Sequence, residues 1–311
     1  MRTDAEEAIR AMDERFGRHD GYRTVHAKGV VCRGTFTATP AAAGLTRAAH
    51  MQGAEVPATV RFSNGSGDAG VADPAPDVRG MATKLYLPDG ARTDVVALTL
   101  PCFFVRTADD FIALTHAAKP LVAGQPGPRF LVYLARHPES WRAVRAALRP
   151  RAPASYATGR YNALHAFKWV AADGAERFVR YSWIPAAGER SLPGGEARRR
   201  GRDYLREEIA ERLGREPVRF TLQVQIAAPG DPTHDATAVW PADRERVDVG
   251  TLELTALDTT RERDGDVLVF DPTRLTDGIE LSDDPLPQLR SRAYSISIER
   301  RSGVARPAEL G

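Results

Sequence analysis

Helical spacing and strict alternation divide this chain into an opening helix, a long strand-rich stretch with helices set into it, and a closing helix. Thr3 and Glu6 form a capping box ahead of an acidic, amphipathic segment, which predicts a helix to about Phe16. Beyond Gly21 the period changes to two: residues 34–39 alternate and are rich in β-branched side chains. Further strands are predicted at 58–63, 80–87 and 95–100, and helices over 109–118 and 128–148. Asp173 and Gly174 read as the turn of a hairpin, with His165, Phe167 and Trp169 alternating before it and residues 178–183 after it. A charged helix is predicted over 195–214. Strands resume at 218–226, where Phe220, Leu222, Val224 and Ile226 share one face, and continue at 247–257 and 266–270. The last helix covers about 285–298. Many spaced strands with helices between them predict an α+β architecture, an antiparallel β-barrel core with surrounding helices. There is no internal repeat or low-complexity linker, and 150–153 and 185–201 read as surface loops, so residues 1–311 are expected to form a single domain.

Composition narrows the classes. Of 311 residues 42% are apolar, ample for a buried core. No segment approaches the ~18 consecutive apolar residues of a membrane span, and the N-terminus lacks the apolar stretch of a secretory signal. A cytoplasmic protein is expected. The net charge of +2 is spread without blocks, which gives no reason to expect nucleic acid or an anionic membrane as partner. Nearly all the basic residues are arginine, with lysine at four positions. Cys32 and Cys102 have no companion Cys/His cluster and are expected to be buried free thiols. No H-E-x-x-H, G-x-S-x-G or Walker motif occurs, and Gly65-Ser66-Gly67 reads as a turn.

Two runs carry chemistry. The first is Arg23-Thr24-Val25-His26-Ala27-Lys28-Gly29, near the start. The second begins at Asp284 and contains Arg290 and Tyr294, with Arg301 following. Arg290 stands four residues before Tyr294, so on a helix both side chains share a face. A guanidinium beside a phenol oxygen favours the phenolate, the form in which tyrosine binds iron. Tyrosine as the axial ligand is the catalase variant of haem ligation.

Eight fragments stand in order along the chain. They are Val25-His26-Ala27-Lys28-Gly29, Val60-Arg61-Phe62-Ser63, Asp77-Val78-Arg79-Gly80, Pro101-Cys102-Phe103-Phe104-Val105-Arg106, Leu164-His165-Ala166-Phe167, Phe270-Asp271-Pro272, Gly278-Ile279-Glu280 and the Arg290/Tyr294 pair. On these the chain resembles the haem-catalase superfamily, specifically its short members, the catalase-related peroxidases. The resemblance implies a barrel core and haem b held noncovalently; no Cys-x-x-Cys-His suggests covalent attachment. It assigns His26 as the distal base and Ser63 as the hydroxyl that fixes its tautomer. A neutral imidazole suits proton transfer between the two peroxide oxygens, because its ordinary pKa of about 6.5 lies near working pH. Heterolysis would leave water and a ferryl haem. Val25, Phe104 and Phe111 match apolar residues at the haem and its channel. Tyr294 matches the axial iron ligand, Arg290 its partner, and His165 with Asp284 the network behind Arg290, with Asp283 a rival for that place. Arg23, Arg61 and Arg301 match the three arginines that hold the propionates, a task for fork-shaped donors. Asp77 and Arg79 read as an internal ion pair beside a turn.

One departure bears on activity. Full-length catalases carry a distal asparagine where this chain has Leu98, in Val96-Ala97-Leu98-Thr99-Leu100-Pro101. Loss of a buried donor to a transition state commonly costs ~10²-fold or more. The resemblance therefore implies a peroxidase that reduces organic hydroperoxides and hydrogen peroxide with a small reducing co-substrate, and weak catalase turnover. The spacing of Thr99 and Asn64 offers no support for either replacing the amide. Two other readings fit the same residues: a lipid hydroperoxide isomerase or dehydratase, and a noncatalytic haem-binding protein. The C-terminal helical region and further domain of longer catalases find no counterpart after Tyr294, which favours a monomer or homodimer over their interlocked tetramer.

Overall fold

A computed structural model describes residues 4–122, 125–148, 152–262, 266–299 and 301–302. The opening helix α1 (Asp4–Phe16) ends where the pattern predicts. Thr3, half of the expected capping box, lies outside the described residues. Strands β1 (Gly29–Ala38), β2 (Val56–Asn64), β3 (Arg79–Tyr86) and β4 (Arg92–Leu98) follow, then β5 (Tyr161–Asn162), β6 (Phe167–Val170) and β7 (Glu176–Pro185). β8 (Val218–Ile226), β9 (Arg246–Leu257) and β10 (Ile279–Leu281) complete the main sheet.

Eight of these strands close a ring in the order β8-β9-β1-β2-β3-β4-β5-β7, and β7 pairs back to β8 from Val179 opposite Ile226 to Pro185 opposite Phe220. Every pairing is antiparallel. Closure leaves no edge to be capped, and β6 with β10 extends the sheet outside the ring. Strand side chains alternate between faces. Val60, Phe62, Met81, Trp183, Phe220, Leu222, Leu252 and Leu254 are fully buried in the main core. The Phe62 ring stacks on Tyr156 at 5.3 Å and lies 6.0 Å from Phe220. Burying each such side chain contributes roughly 1.5–3 kcal/mol.

The same alternation sends Arg61 and Ser63 to the outer face of β2. Register carries the pattern across the sheet: Ser63 lies opposite Gly80, and Gly80 opposite Leu98. Arg61 lies opposite Ala82, and Ala82 opposite Val96. These two rows form a platform on the outside of the barrel. Over it pack α1 and the closing helix α7 (Leu286–Glu299), which share an apolar cluster containing Ile9, Met12, Leu286, Leu289 and Ala293.

Three expected elements differ. The helix over 128–148 is divided into α3 (Pro128–Arg136) and α4 (Trp141–Leu148) by a 3-10 turn beginning at Pro138. Proline disfavours helical geometry in the residue before it, and His137 sits at φ −126, ψ 70. The charged segment 195–214 is likewise split, into α5 (Gly194–Arg199) and α6 (Tyr204–Leu213), around Gly201 at φ +99, whereas the helix expected over 109–118 forms as α2 (Ala108–Ala117). Residues 266–270 form no strand. Their side chains are taken up by packing instead: Leu268 and Phe270 lie on Val31, Ala82 and Val96. Cys32 and Cys102 are buried and free, and Arg79 lies 3.7 Å from Asp77. Among the described residues no helix is long and apolar enough to cross a membrane.

Candidate active site

One cavity lies between the platform and the two helices, lined from below by Arg61, Ser63, Gly80, Ala82, Val96 and Leu98 and from above by Met12, Arg290, Ala293 and Tyr294. His26, Val25, Arg23 and Arg301 also line it. Residues from both ends of the sequence thus meet in one space.

His26 lies three residues before the start of β1 and has a left-handed backbone, φ +58, held by its N–H donating to Gly65 O at 3.2 Å. Its Nδ1 lies 3.0 Å from Ser63 Oγ. Two glycines permit this crowding. A Cβ on Gly80 would stand 2.7 Å from Ser63 Oγ and 3.0 Å from the His26 ring. A Cβ on Gly29 would meet Phe62 O at 2.4 Å and the Arg61 guanidinium at 2.7 Å. The part of the His26 ring left exposed faces the cavity, whose walls surround it with protein. That burial, with Arg61, Arg290 and Arg23 nearby, lowers its pKa to about 3. The imidazole is therefore neutral at any ordinary pH, the form a base must have.

The opposite wall is one face of α7, with Arg290, Ala293, Tyr294 and Ser297 at spacings of three and four. Arg290 donates to the Tyr294 phenol oxygen twice, from Nε at 3.1 Å and Nη2 at 2.9 Å. Its Nη1 lies 2.9 Å from Nε2 of buried His165. A guanidinium has only donors, so His165 Nε2 must accept and its proton must sit on Nδ1. Nδ1 then donates to Asp284 Oδ2 at 2.7 Å. Burial lowers the His165 pKa, in keeping with a neutral ring. Asp284 serves two purposes: its Oδ1 accepts Leu286 N–H at 2.9 Å, at the start of α7. Asp284, not Asp283, is the partner.

The three arginines converge, and the residue that joins them is absent from the sequence reading. Arg23 donates to Glu262 Oε1 from Nε at 3.1 Å and Nη2 at 2.5 Å. Arg61 Nε donates to Glu262 Oε2 at 2.8 Å, and Arg301 Nη1 lies 3.8 Å from Oε1. No motif marks Glu262; one acidic residue in a charged loop carries no signal by itself. Phe104 and Phe111 do not line the cavity. They sit beside it around Phe103, at 5.8 and 6.3 Å, in the cluster that also takes Val25. Leu98 lines the cavity, while Asn64 is spent on Asp73 and Tyr156 and Thr99 Oγ1 accepts from Arg79 N–H. Neither replaces the missing amide.

These residues fit an iron porphyrin: apolar walls, a neutral imidazole and a phenol oxygen facing one space, and guanidinium groups gathered at one end. A family model described as catalase matches residues 14–306. The chain belongs to the catalase family. A catalase-related peroxidase of Mycolicibacterium paratuberculosis is 48% identical over 307 residues, covering 98% of this chain and 96% of that one. A catalase-related peroxidase of Synechococcus elongatus is 31% identical over 299 residues, covering 96% and 88%. The crystal structure of a fungal catalase superposes with a TM-score of 0.81 at 25% identity, over 92% of this chain and 60% of that one. This catalase-family chain is thus of the short, catalase-related peroxidase kind, an oxidoreductase that acts on peroxide.

Proposed function

We propose that this protein is a haem b peroxidase that binds its cofactor noncovalently, reduces organic hydroperoxides and hydrogen peroxide with a small reductant, and releases dioxygen only weakly. The observation that carries this reading is that His26 and the Arg290-bonded Tyr294 line one cavity. Tyr294 would supply the axial oxygen to iron, and Arg23, Arg61 and Arg301 would hold the propionates. When bound, haem supplies the electrons that cleave the O–O bond and recovers them from the reductant. The chain's own residues handle the proton. Ser63 engages His26 at Nδ1, which leaves Nε2 to take the peroxide proton and return it to the departing oxygen. His165 and Asp284 hold Arg290, and through it the phenol, in place. Leu98 offers no donor to orient a second hydrogen peroxide, which supports the preference for peroxidase turnover. The same reading treats residues 1–311 as one domain acting in the cytoplasm as a monomer or homodimer.

The test is an absorption spectrum of the purified protein reconstituted with haemin, followed by peroxide titration with and without an electron donor. Haem absorption and donor-dependent turnover are expected. Tyr294→Phe is expected to alter the ferric spectrum or shed haem. A protein that takes up no haemin, or a Phe variant with an unchanged spectrum, refutes the assignment. Product formed equally well without a donor would instead indicate an isomerase.

A further inference from the structure

Among the described residues only two non-glycine positions have a left-handed backbone, His26 at φ +58 and Glu262 at φ +57. His26 lines the cavity; Glu262 does not, but it is bonded to Arg23 and Arg61, which do, and outliers of this kind persist where the surroundings over-determine them. His26 has its role in the proposed chemistry. Glu262 has none so far.

Its surroundings are unusual for a carboxylate. The side chain is only 3% exposed and lies within reach of three arginines that enter from the loop before β1, from β2 and from the end of α7. Both oxygens are engaged, one by Arg23 and the other by Arg61. Asp266 Oδ2 accepts the Glu262 N–H at 2.8 Å and the Arg261 Nε at 2.8 Å, which anchors the backbone at Glu262. Guanidinium groups held this close and this deep require an anion, because like charges repel strongly where water is excluded. Glu262 supplies one.

A porphyrin that brings two carboxylates to Arg23, Arg61 and Arg301 asks for the same donors. Each Glu262 oxygen accepts as a propionate oxygen would, and Nε of Arg23 and of Arg61 cannot serve both at full strength. We propose that Glu262 is an internal placeholder for a cofactor carboxylate: it keeps the arginine cradle assembled before loading and is displaced when the porphyrin enters. This rests on the haem reading above. It assigns the chain a built-in competitor for its own cofactor, which holds the cradle ready and sets how tightly a carboxylate-bearing ligand is retained.

The experiment compares wild-type protein and Glu262→Gln, both freed of haem, by titration with haemin and with haemin dimethyl ester, whose carboxylates are blocked. Glutamine keeps the shape and removes the charge. The Gln variant is expected to bind haemin roughly tenfold tighter, the scale of one charged competitor removed, with no change for the diester. Its haem-free form is expected to melt at lower temperature. Equal or weaker haemin binding by the variant, or an equal gain with the diester, overturns the proposal while leaving the haem reading intact. If wild-type protein binds neither porphyrin, the haem reading fails and this inference falls with it. Should the Gln variant not fold, Glu262→Asp, which keeps the charge on a shorter arm, decides: tighter haemin binding than wild type with unchanged diester binding is expected, and equal or weaker haemin binding overturns the proposal.

Discussion

On the proposed mechanism the rate turns on His26, which also contributes to the pH response of stability. His26→Ala is expected to retain haem while slowing the first step with peroxide by ~10²-fold or more, the scale of a lost general base; stopped-flow mixing with a hydroperoxide measures it. The lowered pKa has a second consequence. In the unfolded chain the ring takes up a proton near pH ~6.5, whereas in the folded chain it does so only near pH 3. Between those values the unfolded state binds the extra proton, so stability falls as pH drops through that window and is complete above it. His26→Gln is expected to flatten this loss by about 3 kcal/mol between pH 7 and pH 4, read from urea unfolding at each pH. Buried His50, lowered to about 4, pulls the wild type in the same direction and leaves part of the slope in the variant. Leu98→Asn tests the distal donor. Dioxygen release is expected to rise, and unaltered release would remove the missing amide as the limiting feature.

At the scale of elements, the site is a matter of register. Ser63, Gly80 and Leu98 form one cross-strand row, and Gly80→Ala is expected to push Ser63 and the His26 ring apart, lowering peroxide reactivity with little change in haem content. On α7, Arg290 depends on His165 for one of its bonds. His165→Leu leaves Nη1 without that partner, and the cost is about 1–3 kcal/mol, read as a lower Tm. Much of this was legible beforehand. Alternation indicated the barrel strands, and short motifs singled out His26, Ser63, Arg290, His165, Asp284, Arg23, Arg61 and Arg301, which the fold gathers at and behind one cavity. What escaped is what local pattern does not encode. Residues 266–270 have the composition of a strand, but Leu268 and Phe270 pack on Val31, Ala82 and Val96 without pairing, a contact between segments distant in sequence. Pro138 and Gly201 break helices that periodicity alone runs together. Phe104 and Phe111 were apolar in the right places, yet how many side chains stand between them and the cavity is a three-dimensional fact. Glu262 takes its role from three arginines distant in sequence and from a backbone angle that no residue type announces.

For the whole molecule, the cavity lies outside the barrel, so its floor and its roof have different origins. The floor is part of the hydrogen-bonded ring. The roof is α1 and α7 packed on each other. Haemin is expected to raise the melting temperature and to slow amide exchange in these two helices more than in β2 and β3, because they gain a filling beneath them. Equal protection throughout would mean that the roof is as firm empty as filled.

That division also orders events in time. The last ring strand ends at Leu257 and α7 begins at Leu286, so in synthesis the wall of strands leaves the ribosome before the helix that carries Tyr294. On the proposed reading cofactor capture waits for that helix, and a chain cut short ahead of Leu286 would keep His26, Arg23 and Arg61 but lack the Tyr294 oxygen and half of the cavity's roof.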